Sequence, residues 1–439
     1  MDAPIINVGI MTSKAISFVC HGEYVATEQN RFVSGEQRAL WVNGKVVYEG
    51  QLYPEISFEP TAADASFDLK AVTIGVDFHW QRQEDQRFKG ALRLVATPEG
   101  ILVINRIDAE EYLTSVISSE MSANASKQLL KAHAVISRSW LLAQVEKNFR
   151  LAGSLAHPYQ SCRRDEESLI RWYDREDHKR FDVCADDHCQ RYQGITRATN
   201  PIVRQVIKET RGEVLMADGE ICDARFSKCC GGVTERFESC WEPVPHSYLV
   251  PLRDSEHPAD YPDLTQEEEA RSWILGTPDA FCHTTDKEIL AQVLNNYDQE
   301  TTDFYRWQVR YTQEELAELI HRKTGMDFGQ IIDLVPLERG SSGRIIRLRI
   351  VGTRRSFVIG KELEIRRTLS ETHLYSSAFV VEREEIGEGV PRRFRLVGAG
   401  WGHGVGLCQI GAAMMGATGY DYRAILAHYF PGSLIEKRY

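Results

Sequence analysis

Between residue 5 and about residue 105 the chain alternates short apolar and polar runs with the period of strands, as in ALWVNGKVVYEG and LRLVATPEGILVI. Asn43-Gly44 lies between two such runs, the pair that a two-residue hairpin favours. The period then lengthens. IDAEEYLTSVISSEM sets Leu113, Val116, Ile117 and Met121 three and four apart, which predicts a helix with one apolar stripe. Asp108 is its predicted cap, and Glu111 at the third helical position completes an Asp form of the capping box. A second helix, SKQLLKAHAVISRSWLLAQV, carries Leu129, Ala132, Ile136, Trp140 and Ala143 on one face. Arg138 falls on a neighbouring face, available to substrate or solvent.

Residues 155 to 195 are charged, rich in His and Cys, and sustain no period, so they predict a loop that needs an organiser. Strands return from 200 to 250. The polar stretch from 254 to 303, with runs such as QEEEA, predicts a surface insertion, and YTQEELAELIHRKTG predicts a helix closed by Gly325. The fold class expected is α+β, a β-rich platform followed by a helix pair, an organised loop and a polar insertion. Its boundaries fall at 1–105, 106–253, 254–304 and 305–439.

Composition narrows the function. A chain of 439 residues has ample core for two or three domains, and a net charge of -11 argues against nucleic acid or an anionic membrane as partner. No window approaches the roughly 18 apolar residues of a spanning helix. The N-terminus, MDAPIINVGIMTSKAISFVC, has no basic region followed by a long apolar run, so the chain as written is expected to be soluble, without an export signal. Ten cysteines leave the redox compartment open.

Three stretches carry candidate chemistry. Glu120 lies four residues after Val116 and three after Ile117, a carboxylate on an apolar stripe. Desolvation there would keep it protonated near neutral pH, as a general acid requires; an ion pair with an arginine is the plainer reading. In DHKRFDVCADDHCQRYQG, His178, Cys184, His188 and Cys189 offer two imidazoles and two thiolates, a set suited to one tetrahedral zinc. A polar loop with incidental cysteines or one local disulfide is the alternative. Four protein ligands leave no open position, so such a metal is structural and would order Gln190 and Tyr192. In GAGWGHGVGLCQIGAAMMGATG, His403 stands among glycines that let backbone approach a ligand closely. A packed strand-to-helix turn is the bland alternative, and dinucleotide binding is disfavoured because no βαβ unit follows.

Together IDAEEYLTSVISSEMSANASKQLLKAHAVISRSWLL, DVCADDHCQRY, FSKCCGGVTE with Trp241, and GWGHGVGLCQIGAAMMGATGYDYRAILAHYF resemble the SpoIID/LytB family, over about residues 100 to 255 and 305 to 439. The resemblance implies a peptidoglycan lytic transglycosylase acting on peptide-stripped glycan strands, with Glu120 as catalytic acid and base. It implies a structural zinc on His178, Cys184, His188 and Cys189, and substrate contacts are expected at Arg138, Gln190, Tyr192, Ser227, Gly402, His403, Gly404 and Gln409. Cys229 and Cys230 replace the Ser and small residues expected before the glycines, and Cys408 stands where Ser often precedes Gln. The substrate implied lies outside the cytoplasmic membrane. The competing expectation is a non-catalytic, glycan-binding activator of a cell-wall amidase; a third is a zinc amidase using His403 and His428.

Overall fold

Strand Ile5–Ser13 runs antiparallel to Ile101–Asp108, from Ile5 opposite Asp108 to Ser13 opposite Ile101. The computed structural model describes residues 2–75, 81–122, 124–152, 160–172, 178–186, 188–196, 198, 200–256, 260–293 and 303–439. Beyond Ile101–Asp108 the sheet continues through Ala91–Ala96, Glu55–Pro60, Ala15–Ala26, Arg31–Val42, Lys45–Tyr48 and Gln51–Tyr53, with Ser66–Ile74 and Arg82–Lys89 branching from it. The Asn43-Gly44 hairpin forms: Val42 faces Lys45, and both turn residues take positive φ, 49° and 75°. In the core against this sheet, Phe58 meets Phe18 and Tyr48 edge-on at 4.9 and 5.2 Å. Burial of each such ring is worth roughly 1.5–3 kcal/mol.

Strand Ile101–Asp108 feeds directly into helix α1 (Ala109–Glu120), and α2 (Lys127–Ala152) packs against it. The Asp108 carboxylate accepts the N–H groups of Glu110 (2.8 Å) and Glu111 (3.4 Å). The reciprocal half of the predicted box is replaced, because the Glu111 carboxylate turns to Lys89 at 3.5 Å. Leu113, Val116, Ile117 and Met121 are buried as predicted, and so are Leu129, Ala132, Ile136, Trp140 and Ala143. The described part of α2 is buried on more than that one face, since His133, Ser137, Arg138, Ser139 and Gln144 are also inside. A helix enclosed on most sides must satisfy its polar side chains internally.

The predicted loop is more ordered than its sequence. Val183–Cys184 adds to the platform as a strand parallel to Ile5–Ser13, and Cys162–Arg164 pairs with Ser168–Arg171, which lies parallel to Ser356–Gly360. Strands this short carry too few alternations to register as a period, which is why the sequence reads as loop. Residues 155–159, 173–177 and 187 of that stretch lie outside the described residues.

The C-terminal part holds the sheet of Ile331–Arg339, Ile345–Gly352 and Ser356–Gly360, and a three-stranded sheet of Arg306–Thr312, Val390–Ala399 and Phe379–Gly387. Helix Gln313–Thr324 starts with a full capping box of Thr312 and Glu315 and ends at Gly325, φ 70°. The insertion is not purely superficial. Its helices Glu267–Leu275 and Lys287–Val293 bury Trp273, Ile274, Leu290 and Val293, while residues 257–259 and 294–302 lie outside the described residues. Among the described residues no helix is long and apolar enough to cross a membrane.

Candidate functional site

Glu120 is the last residue of α1 and is half-buried. The helix stops there because Met121 turns to extended backbone while its N–H still closes onto the Ile117 carbonyl. The next turn is pinned from the insertion: Ser122 N–H donates to the Gln292 carbonyl (3.0 Å) and Ser126 N–H to the Gln292 side chain (2.9 Å). The carboxylate itself accepts the backbone N–H of Arg191 at 3.3 Å. Among the described residues it pairs with no cation, in contrast to Glu110 and Glu111, which face Arg138 and Lys89.

The segment that supplies that N–H is built between the two helices and the platform. Tyr112 Oη donates to the Gln190 side-chain carbonyl (3.4 Å), Gln190 donates to the Ser137 carbonyl (3.2 Å), and Gln193 N–H donates to Ser115 Oγ (3.2 Å). Tyr192 stacks on Tyr112 at 5.0 Å and donates to Asn105 at 2.6 Å. Gln190 and Tyr192, expected at the sugar, are therefore interior residues that fix the course of the chain past Glu120. Arg138 needs the same correction. It is fully buried, its guanidinium engages both Glu110 oxygens at 2.8 Å and the Glu213 carbonyl at 3.0 Å, and it is closed off from solvent.

Cys189 immediately precedes this segment. The ligand atoms of His178, Cys184, His188 and Cys189 all lie within 4.8 Å of one another, so the group could hold a metal ion. Cys189 Sγ sits 3.3 Å from His178 Nε2 and 3.6 Å from His188 Nδ1, and Cys184 Sγ is 4.0 Å from His188 Nδ1. A tetrahedral ion with bonds of about 2.3 Å to sulfur and about 2.0 Å to nitrogen would separate such neighbours by about 3.5 Å, so these residues fit. Contact with the Cys189 thiol, ahead of the two imidazoles, holds Cys184 well below the usual thiol range, toward the ionised form that binds metal. No disulfide links the two cysteines.

The glycine-rich segment turns between strands Val390–Ala399 and Leu407–Cys408, the latter parallel to Phe226–Ser227. Gly402 and Gly404 take φ of 93° and 77°. A Cβ on Gly402 would press on Ser227 and one on Gly404 would strike the Arg344 guanidinium, so glycine is required twice over. Buried Arg344 supports the turn from beneath, donating to the Gly402 and Cys230 carbonyls at 3.1 Å. His403 packs edge-on to Trp241 at 4.8 Å and accepts the Val405 N–H on Nδ1 at 3.0 Å. Burial first, with Arg344 and Arg366 nearby, pushes its pKa down, so the ring is neutral and suited to orienting a ligand rather than to carrying charge. Ser227 Oγ lies buried beneath this turn with no hydrogen-bond partner.

Gln409, the first residue of helix Gln409–Ala417, is buried and touches His133 Nε2 at 3.0 Å, while His133 Nδ1 meets Ser137 Oγ at 3.1 Å. Ser137 thus has its carbonyl on Gln190 and its hydroxyl on His133, joining the Glu120 side of the site to the glycine-rich side through one turn of α2. His133 is a participant that sequence reasoning passed over. A lone histidine inside a helix carries no spacing signal, and only its place within the KAHAVISRSW motif marked it.

Residues 97–216 match the family described as Stage II sporulation protein, and residues 235–406 match one described as Domain of unknown function (DUF8618). An uncharacterized protein of Brachyspira hyodysenteriae is 24% identical over 348 residues, 79% of this chain and 71% of that protein. Stage II sporulation protein D of Bacillus amyloliquefaciens is 21% identical over 330 residues, 75% and 74% of the two chains. The Amidase enhancer of Bacillus subtilis is 23% identical over 250 residues, 54% of this chain but 33% of that protein's length.

Proposed function

Because this chain belongs to the SpoIID/LytB family, we propose that it is a peptidoglycan lytic transglycosylase that uses Glu120 as its single acid and base. Glu120 protonates the oxygen linking N-acetylmuramic acid to N-acetylglucosamine. As a carboxylate it then takes the proton from the C6 hydroxyl of the same muramic residue, which closes the 1,6-anhydro ring. The substrate supplies the nucleophile, so no second carboxylate is demanded. The observation that carries this reading is the state of Glu120: alone among the acids of α1 discussed above, it is held by a backbone donor instead of a cation, at the half-open end of the helix.

The zinc-binding set of this reading is His178, Cys184, His188 and Cys189, and the ion supplies rigidity rather than catalysis. Arg191, two residues beyond Cys189, owes its position over Glu120 to that order. His403, with Gly402 and Gly404, lines the glycan cleft and orients sugar hydroxyls. Gln409 and Ser227 sit behind that surface and shape it.

Incubation with peptide-stripped glycan strands, read by mass spectrometry, is expected to give anhydro-terminated products. Reducing muramic ends would mean hydrolysis and would refute the reaction. The second reading, a non-catalytic activator of a wall amidase, is favoured by the likeness to the Amidase enhancer. It predicts glycan binding without cleavage and faster release of stem peptides by an added amidase.

A further inference from the structure

The three cysteines that need explaining do not lie in the loop. Cys230 follows strand Phe226–Ser227, Cys408 ends strand Leu407–Cys408, and Cys282 comes from the insertion. The fold brings them together with Asp254, all four buried and all four ligand atoms within 4.8 Å of one another. Cys230 Sγ lies 3.6 Å from Cys282 Sγ and 3.3 Å from Asp254 Oδ2, and the Cys230 N–H points at Cys408 Sγ at 3.2 Å.

Asp254 makes the cluster unusual. Its side chain is wholly buried, accepting from Tyr429 Oη at 2.7 Å and from the Cys282 N–H at 3.3 Å. No lysine or arginine among the described residues pairs with it, and the nearest basic group is His428 Nε2 at 3.6 Å, a buried atom that has no hydrogen-bond partner. Burying a carboxylate without a cation is expensive, and three thiols beside it offer no positive charge. Gly411 passes so close that a Cβ there would lie 2.7 Å from Asp254 Oδ2, so the helix after the glycine-rich turn is fitted against the cluster.

We propose that Cys230, Asp254, Cys282 and Cys408 form a second, interior metal site for one borderline-soft divalent ion such as zinc. A thiolate-rich donor set with one carboxylate selects that class of ion over magnesium or calcium. Two ligands of one ion with bonds of about 2.3 Å cannot stand more than about 4.6 Å apart, and the 3.6 Å between Cys230 Sγ and Cys282 Sγ and the 3.3 Å from Cys230 Sγ to Asp254 Oδ2 lie inside that limit. The sulfur separation also approaches the roughly 3.7 Å edge of a tetrahedral thiolate site, whereas a disulfide needs about 2.05 Å. On binding, each thiol that becomes a ligand releases its proton to solvent, and the ion supplies the positive charge that Asp254 lacks. With four protein ligands and no open position the site is structural. It ties the turn after Ser227, the insertion, and the start of helix Gln409–Ala417 into one unit behind His403. This inference is independent of the glycan reading.

The test is metal content of the full chain, equilibrated with zinc and desalted. Wild type should hold two equivalents. Cys184→Ser with Cys189→Ser should hold one, and its cobalt form should absorb in the near ultraviolet with the intensity of three thiolates. In the same variant, Cys282 should resist alkylation until a strong chelator is added. Cys230→Ser with Cys282→Ser should drop wild type from two equivalents to one. The loop variant decides the matter even if the interior variant does not fold. A folded loop variant that binds no metal overturns the proposal, and so does peptide mapping that joins Cys230 to Cys282 in a disulfide.

Discussion

The loop cluster gathers its four ligands from residues no more than eleven positions apart and leaves His188 exposed, whereas the interior cluster joins Cys230 to Cys408, 178 positions apart, and buries every member. Their neighbours differ as well. Beyond Cys189 the next contact of consequence is the Arg191 N–H on Glu120; around Asp254 they are Tyr429, His428 and the backbone of Cys282. A short local cross-link constrains little of the unfolded chain and mainly sets nearby geometry, while one spanning a long loop removes more disorder. Loss of the first should therefore be felt in chemistry, and loss of the second in stability.

The largest effect expected lies at the residue the loop serves. Glu120→Gln keeps size and most hydrogen bonding but cannot deliver and recover a proton, so the rate of anhydro-end release should fall by about 100-fold to 10,000-fold. Metal content and thermal unfolding should match wild type. A variant that cleaves at the wild-type rate would leave the loop cluster with nothing catalytic to organise.

What the sequence disclosed follows the same contrast between near and far. The cap at Asp108, the stripe Leu113, Val116, Ile117 and Met121, the Asn43-Gly44 turn and the grouping of His178, Cys184, His188 and Cys189 are all local patterns, readable because they are decided by residues a few positions apart. Arg138 was misjudged because a helical wheel gives angles around one helix and knows nothing of Glu110, 28 positions earlier, that meets it. Gln190 and Tyr192, expected to contact substrate, find their partners Ser137 and Asn105 on other elements, which no local pattern names. Cys230 and Cys408 stood out as departures from the family pattern, yet nothing local could bring Cys282 and Asp254 to them.

A control of intermediate size separates fold from either cluster. Glu110→Ala leaves Arg138 buried with its carboxylate partner gone, which typically costs about 3–5 kcal/mol. Denaturant unfolding should register that loss while the interior metal site stays filled in the folded protein. A change under about 1 kcal/mol would mean that the pair contributes little and that α1 is held by its apolar stripe alone.

Breaking the loop directly should cost less. In Cys184→Ser with Cys189→Ser the Arg191 donor is no longer held over Glu120, and a hydrogen bond to a charged group is worth about 1.5–3 kcal/mol. Turnover should drop by about tenfold or somewhat more, with glycan binding retained and the midpoint of unfolding little changed. If the unfolding midpoint collapses and the surviving folded fraction turns over normally, the division of labour between the clusters is reversed.

The smallest effect concerns His133, which stands between the two sides of the site on α2. Burial, then the nearby Lys228, depresses its pKa to about 3 from the ordinary 6.5, so the folded ring stays neutral where the unfolded one takes a proton. A depressed histidine contributes stability that is complete above about pH 6.5 and declines as pH falls from there toward about 3, since only the unfolded state gains the proton in that window. His133→Gln keeps a partner for Gln409 and Ser137 but removes the titration. Between about pH 7.5 and about pH 5 wild type should lose about 1–2 kcal/mol more of its unfolding free energy than the variant, at roughly 1.4 kcal/mol per pH unit for one proton. Acid release of metal would act on both proteins alike and cancel in the difference. Equal slopes would show that His133 is already reached by protons in the folded state, and the link between Gln409 and Ser137 would then be open rather than sealed.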